Sequence, residues 1–242
     1  MKTDRPTALI TGASRGIGRA CAKAFAAAGY HLYLTCLQSE DTLLSLKQEL
    51  ESRYAISCHA SLCDMGNYQD VAKLFSHIHT LDVLINNAGL SHIGLIQDMS
   101  PDQWDRVMAT NLHACFYTAK CAIPLMLAKG RGRILNVSSV WGCAGASMEA
   151  AYSASKGGVN TFTRALAREL APSNIQVNAA AFGMIDTDMN CCFTQEELEG
   201  ILEEIPAGRM GTCKEAAELI LQLANAPAYL TGQIVTMDGG WT

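Results

Sequence analysis

TALITGASRGIG, Thr7 to Gly18, runs an apolar stretch directly into glycines at positions 12, 16 and 18. Glycine permits a tight turn, a close backbone approach and close packing of a helix on a strand. In this order the three would aim the N–H groups of a helix start at a pyrophosphate. Twenty glycines are scattered along the chain, so the spacing alone is a weak signal. Its position after a strand and at a helix start is the context the motif requires. A plain tight turn is the competing reading, and the rest of the chain decides between them.

Short apolar runs recur outward from this point: HLYLTC (31 to 36), LDVLIN (81 to 86), GRILNVSS (132 to 139), IQVNAAA (175 to 181) and QIVTMD (233 to 238), with a weaker one near Ile56 to Ser61. Amphipathic segments separate them. Continuous apolar strands between helices predict a parallel sheet covered on both faces. The expected fold is α/β: a single Rossmann-like, doubly wound domain over 1–242 with about seven parallel strands. Its ligand should lie at the carboxyl ends of the strands, where strand order reverses. One long helix is expected over Pro101 to Lys129, with Ser100 as N-cap, Pro101 at N1 and Gln103 completing a cap. A second runs from Ala150 to Leu170.

The bulk properties exclude several classes. A net charge of −5 without a Lys/Arg run makes nucleic acid and anionic membranes poor partners. The most apolar stretch, Ala109 to Lys129, is interrupted by His113, Lys120 and Pro124 and reads as a core helix. The short, charged Met1 to Pro6 does not resemble a signal peptide. Ten cysteines lie scattered without ligand spacing, which predicts a reducing cytoplasm and no metal; Cys191-Cys192 is the one unusual pair.

The residues following each strand are the candidate site. NNAG, Asn86 to Gly89, follows the fourth strand, where asparagine can brace a turn beside a ligand or simply form a common turn. Ser138 and Ser139 end the fifth. AYSASKGGVN then places Tyr152 and Lys156 on one helix face. An ammonium about 4 Å from a phenol would favour phenolate by roughly 4 kcal/mol, enough to bring its pKa from about 10 toward 7. A fully exposed pair would do almost nothing.

TGASRGIG, NNAG, Asn111, Ser139, YSASK and YLTGQIVTMDGG stand in the order and spacing of the short-chain dehydrogenase/reductases. The chain resembles most closely the 3-oxoacyl-acyl-carrier-protein reductase group, over nearly its whole length. The resemblance implies a catalytic tetrad of Asn111, Ser139, Tyr152 and Lys156. Tyr152 would protonate the substrate oxygen and Ser139 would hydrogen-bond it. Lys156 would hold the nicotinamide ribose and lower the Tyr152 pKa, and Asn111 would position a relay water. Cofactor contacts are implied at Gly12, Ser14, Arg15, Gly16, Ile17, Gly18, Asn87, Ala88, Gly89, Gly183, Ile185 and Thr187, besides Tyr152 and Lys156. Substrate contacts are implied at Ser139, Trp141, Tyr152 and Met184. The family expectation is a homotetramer, with Trp241 near one interface.

Charge favours NADP(H) over NAD(H). Cys36 stands where an acid would repel the 2′-phosphate, and Arg15 can contact that phosphate or act as surface charge. Two positions depart from the family. Alignment of SLCDM sets Ser61, followed by Leu62, at the usual adenine-contacting aspartate, with Asp64 three residues on. Phe182 replaces a proline, which would loosen the loop beside the nicotinamide. A substrate lid is expected at about 183–210. Its glutamates 196, 197, 199, 203 and 204 read either as a solvated helix face or as attraction for a cationic substrate.

The leading functional expectation is an NADPH-dependent reductase of a small or carrier-bound ketone, a 3-oxoacyl thioester or similar. VSSVWGCAGASMEAAYSASKGGVN and DGGW also resemble a bacterial subgroup that reduces 5-aminopentanone-modified elongation factor P, with Glu149 a conceivable ammonium partner. Oxidation of a secondary alcohol or hydroxysteroid, and a non-catalytic dinucleotide sensor, are the remaining alternatives.

Overall fold

A computed structural model describes residues 5–191 and 193–242. Strands β1 (Thr7–Ile10), β2 (His31–Cys36), β3 (Cys58–Leu62), β4 (Val83–Asn86), β5 (Gly132–Ser139), β6 (Ile175–Phe182) and β7 (Ile234–Met237) form one seven-stranded sheet. Its order is β3-β2-β1-β4-β5-β6-β7, and every pairing is parallel. Strand order therefore reverses between β1 and β4, and a crevice opens at their carboxyl ends. The α/β, doubly wound expectation holds.

Side-chain alternation along β1 explains how both faces are covered. Ala8 and Ile10 join one core with residues of α1 (Gly16–Ala27), α2 (Glu40–Tyr54) and α9 (Cys213–Ala224). Leu9 points the other way, into a core with α3 (Tyr68–Phe75), α5 (Ala114–Lys129) and α7 (Ala150–Leu170). The central strands are mostly apolar because neither face meets water; all eight residues of β6 are buried, Gln176 and Asn178 among them. Truncating a fully buried leucine such as Leu9 or Leu84 to alanine would cost about 2–5 kcal/mol.

The helix expected over Pro101 to Lys129 is interrupted. It starts as α4 (Pro101–Met108), with Ser100 and Gln103 in a reciprocal capping box. It then widens into a π-turn over Ala109–His113 before continuing as α5. Periodicity does not announce one inserted residue, and π-turns tend to occur at functional sites.

The short helix α6 (Trp141–Ala144) follows β5, and α8 (Gln195–Glu204) follows β6. Among the described residues no helix is long and apolar enough to cross a membrane, and no cluster of three or more His, Cys, Asp or Glu could hold a metal. Cys191 is exposed; Cys192 lies outside the described residues, so the structure does not describe that pair.

Candidate active site

The loop after β1 is dovetailed into the turn after β4. Thr11 Oγ1 accepts the Asn87 and Ala88 amides at 3.0 and 2.9 Å, and Asn87 Nδ2 donates to the carbonyls of Thr11 and Gly12 at 2.8 and 3.1 Å. A Cβ on Gly18 would lie 2.2 Å from the Gly12 carbonyl oxygen, so only glycine fits there. Gly12 has φ +65°, and a Cβ on it would lie 3.0 Å from Ala88 Cα. Arg15, the N-cap of α1, places no side-chain cap on the helix. The first amides of α1 are thus left for an anion, at the positive end of the helix dipole. Three glycines and a brace of asparagine make a cradle of the kind a dinucleotide pyrophosphate requires.

Gly12, Ser14, Arg15, Gly16, Ile17, Asn87, Ala88 and Gly89 all line one cleft of roughly 1130 Å³, together with Ser139, Trp141, Tyr152, Lys156, Gly183, Met184, Ile185 and Thr187. Gly18 stands behind its wall. A Cβ on Gly16 would lie 3.5 Å from Thr187 Cγ2, so the loop after β6 touches the glycine loop.

Tyr152 and Lys156 share one face of α7, with the ammonium 5.6 Å from the centre of the phenol ring. The expected lowering of the Tyr152 pKa is not found. Burial pushes it up to about 12; the Ser139 hydroxyl pulls the other way, and the Glu149 charge adds to the rise. Lys156 is itself lowered to about 8, because burial disfavours its charge, and its Nζ donates to the Val137 carbonyl at 2.8 Å. The Coulomb expectation assumed a free ammonium, whereas this one is buried and already engaged by the Val137 carbonyl. Asn111 lies in the π-turn and is fully engaged. It accepts the Leu90 amide at 2.9 Å and donates to the Leu90 carbonyl and to Ser155 Oγ, each at 2.9 Å. A Cβ on Gly89 would crowd both Asn111 Oδ1 and Lys156 Nζ, at 3.3 and 3.5 Å.

Two expectations need correction. Ser61 and Leu62 do not line this cleft; they border a separate cavity of about 330 Å³. Ser61 and Leu62 still pair with Thr35 and Cys36 in the edge of the sheet. The chain turns inward one residue later, where the Cys63 amide donates to the Cys36 carbonyl at 2.9 Å, so the cleft wall is Cys63, Asp64 and Met65. Asp64 pairs with Arg106 at 2.9 Å. An aspartate thus stands at the cleft wall, three residues beyond Ser61. The Phe182 loop is not loose either. Phe182 is the buried last residue of β6, paired with Ser139 and Met237. The next residues are held by Gly183 N to Met237 O at 3.0 Å and by Asp186 N and Gly211 N to Gly211 O and Met184 O, each at 2.9 Å.

The other end of the cleft is walled by side chains from distant parts of the chain. Trp141 meets Trp241 edge to face, with ring centres 4.9 Å apart. Trp241 lines the cleft, as do Phe193, Ile201 and Glu204 from the segment expected to form a lid. Glu149, at the start of α7, also lines it and accepts the Ser91 hydroxyl at 2.6 Å. Beneath the site lies a polar network the sequence reading missed. Asn86 Nδ2 donates to Asn136 Oδ1 at 2.9 Å, Thr118 Oγ1 to Asn86 Oδ1 at 2.7 Å and Asn136 Nδ2 to Thr163 Oγ1 at 2.8 Å. Its signal was present: buried asparagines interrupting otherwise apolar strands, each needing a partner.

Comparison with known proteins agrees with this geometry. The short chain dehydrogenase family profile matches residues 6–198. An uncharacterized oxidoreductase of Bacillus subtilis, YmfI, is 38% identical over 97% of this chain and 98% of its own. The 3-oxoacyl-[acyl-carrier-protein] reductase FabG of Escherichia coli is 35% identical over 99% and 98%. A structure from Beutenbergia cavernae, described as a candidate NAD(P)-dependent gluconate 5-dehydrogenase with NADP bound at low occupancy, superposes with a TM-score of 0.92 at 34% identity, covering 98% and 96%. The chain is an oxidoreductase and belongs to the short-chain dehydrogenase/reductase family.

Proposed function

We propose that this chain is an NADPH-dependent carbonyl reductase. The observation that carries the reading is one cleft with a glycine cradle at one end and the Ser139 and Tyr152 hydroxyls at the other. The family uses a nicotinamide dinucleotide, and the cradle fits its pyrophosphate. No carboxylate occupies Cys36 to Ser39, where those residues line the cleft, so a 2′-phosphate meets no repulsion there. Arg15 is exposed beside it and free to swing from its loose 3.6 Å pair with Asp188.

Bound in the cleft, the dinucleotide supplies the hydride. Ser139 and Tyr152 hold the ketone oxygen between two hydroxyls, and Tyr152 Oη gives that oxygen its proton. Burial keeps the phenol in its acid form at neutral pH, so it carries the proton it gives. Lys156, one helix turn on, counters the phenolate left behind. Asn111 fixes the Leu90 peptide and Ser155, and so the floor beneath Lys156. Steady-state rates with NADPH and NADH across a ketone panel test the proposal. NADPH-dependent loss of ketone is expected, and an inactive protein that still binds NADPH would point to the sensor reading.

For the ketone itself two readings remain in play. Relatives named for 3-oxoacyl-carrier reduction support a 3-oxoacyl thioester. A specific observation favours the second: Glu149 and Glu204 are the glutamates lining the cleft, beside two indoles. Carboxylates with aromatic faces suit an amine-bearing ketone and repel an acidic carrier protein. Acetoacetyl-CoA against 5-aminopentanone-modified elongation factor P separates the two. A homotetramer belongs to the same proposal. The aromatic outer face of α5, with half-exposed Phe116 against Tyr117, supports it, and light scattering tests it.

A further inference from the structure

The residues that follow β7 reach across to the segment that ends α8. Asp238 folds them into a tight turn: Gly240 N donates to its Oδ1 at 3.0 Å, and Thr242 N and Oγ1 to its Oδ2 at 2.9 and 3.0 Å. Gly239 and Gly240 take φ +70° and +85°, a conformation that favours glycine. This lets the segment cross directly over the stretch that ends α8. A Cβ on Gly239 would lie 2.9 Å from Ile205 Cγ2 and 3.0 Å from Ala207 Cβ, and the Ala207 amide donates to the Gly239 carbonyl at 3.0 Å. Trp241 is thereby set between two walls of the cleft. Its Nε1 donates to Glu204 Oε2 on α8 at 3.2 Å, and its ring lies against Trp141. The Trp141 amide in turn donates to Ser139 Oγ at 3.2 Å.

We propose that Asp238–Thr242 is a clasp holding α8 over the substrate end of the cleft, and that Trp241 is a specificity-determining residue for the ketone. The inference rests on the reductase reading, since it assigns this end of the cleft to substrate. With the indole in place, Trp241 and Trp141 make one joined aromatic wall on the Ser139 side of the cleft, tied to α8 through Glu204. Removing the indole opens that wall without touching the glycine cradle at the far end.

The test compares wild type with Trp241→Ala and with Glu204→Ala, whose exposed position makes misfolding improbable as an explanation. Two readouts are taken: amide hydrogen exchange over 195–204, and kcat/KM with NADPH for ethyl acetoacetate and the bulkier ethyl benzoylacetate. Trp241→Ala should speed exchange in α8 by about tenfold or more. It should also raise the benzoyl-to-acetyl preference by about tenfold, with NADPH affinity within about twofold of wild type. Glu204→Ala should reproduce part of the exchange effect. Unchanged exchange in both variants overturns the clasp. An unchanged preference, or a loss of NADPH affinity in step with activity, overturns the specificity role. If wild type reduces neither ketone, the specificity role for small 3-oxoesters falls while the reductase reading is still decided by the wider ketone panel, and the exchange result alone decides the clasp.

Discussion

A methyl group on Gly18 would lie 2.2 Å from the Gly12 carbonyl oxygen, whereas one on Gly200 in α8 would meet nothing within 4 Å. Gly18 belongs to the glycine loop that builds one end of the cleft, and Gly200 to the helix that contributes Ile201 and Glu204 to the other. At the cradle, backbone packs on backbone and shape follows from the absence of side chains. At the lid, shape follows from which side chains arrive: indoles from Trp141 and Trp241, carboxylates from Glu149 and Glu204. The first construction tolerates almost no change and suits a ligand that never varies. The second can be altered residue by residue, which is what choosing among ketones demands.

The largest effect should come where the two ends meet. Tyr152→Phe removes the proposed proton donor and leaves the cradle intact, so ketone reduction should fall by about 10²–10⁴-fold with NADPH binding unchanged. Steady-state kinetics beside a fluorescence titration of NADPH would show the split. Loss of both together would blur the division between the ends. The same variant isolates a titration. Because the folded pKa of Tyr152 is raised from 10.0 to about 12, its contribution to stability is complete below pH 10 and is lost as pH rises through about 12. Tyr30 and Tyr33 are also raised by burial, so near-ultraviolet tyrosinate absorbance should show several late-titrating phenols, one fewer of them in Tyr152→Phe.

Within the cradle, Gly18→Ala should destabilise by at least the about 1–3 kcal/mol of an overpacked site, since its neighbour is rigid backbone. Thermal melting would register several degrees and NADPH binding should weaken. A wild-type melt and affinity would break the comparison outright. A smaller change is expected at the end of β2: Cys36→Asp should cut the NADPH-to-NADH preference by about tenfold through repulsion of the 2′-phosphate. Comparing kcat/KM for the two cofactors checks it. Smallest of all, Gly200→Ala should raise stability by up to about 1 kcal/mol, the gain of alanine over glycine in a helix interior. A melting temperature that falls instead would mean the lid is as tightly specified as the cradle.

The same contrast explains what could be read from the sequence. The strand pattern and the glycine loop follow from local rules: a buried parallel strand must be apolar, and a helix packed on a turn must lack a Cβ. Tyr152, Lys156, Ser139 and Asn111 follow from the resemblance that the ordered motifs carry, since the Tyr–Lys spacing alone is a weak signal. The remainder depends on contacts between distant segments. Asp64 rather than Ser61 reaches the wall because of where β3 stops pairing with β2, a register that the motif SLCDM alone does not reveal. The direction of the Tyr152 shift depends on burial and on the Val137 carbonyl that engages Lys156, neither visible in a four-residue spacing. Trp241 stands a hundred residues from Trp141 and meets it only because two glycines let the chain fold back across the lid. Phe182 looked like a lost rigid residue and is a strand end with its backbone paired on both sides.

The π-turn at Ala109–His113 has a consequence for how this protein can evolve. Such a turn carries one residue more than an α-helical turn, so it acts as a phase slip: α4 and α5 are continuous in space yet out of step by about 100° around their common axis. Arg106 can therefore reach Asp64 on one side while Asn111 points to Leu90 and Ser155. Deleting a single residue here would heal the helix and still misalign the enzyme, turning a local repair into a loss of phase between the cofactor wall and the floor beneath Lys156.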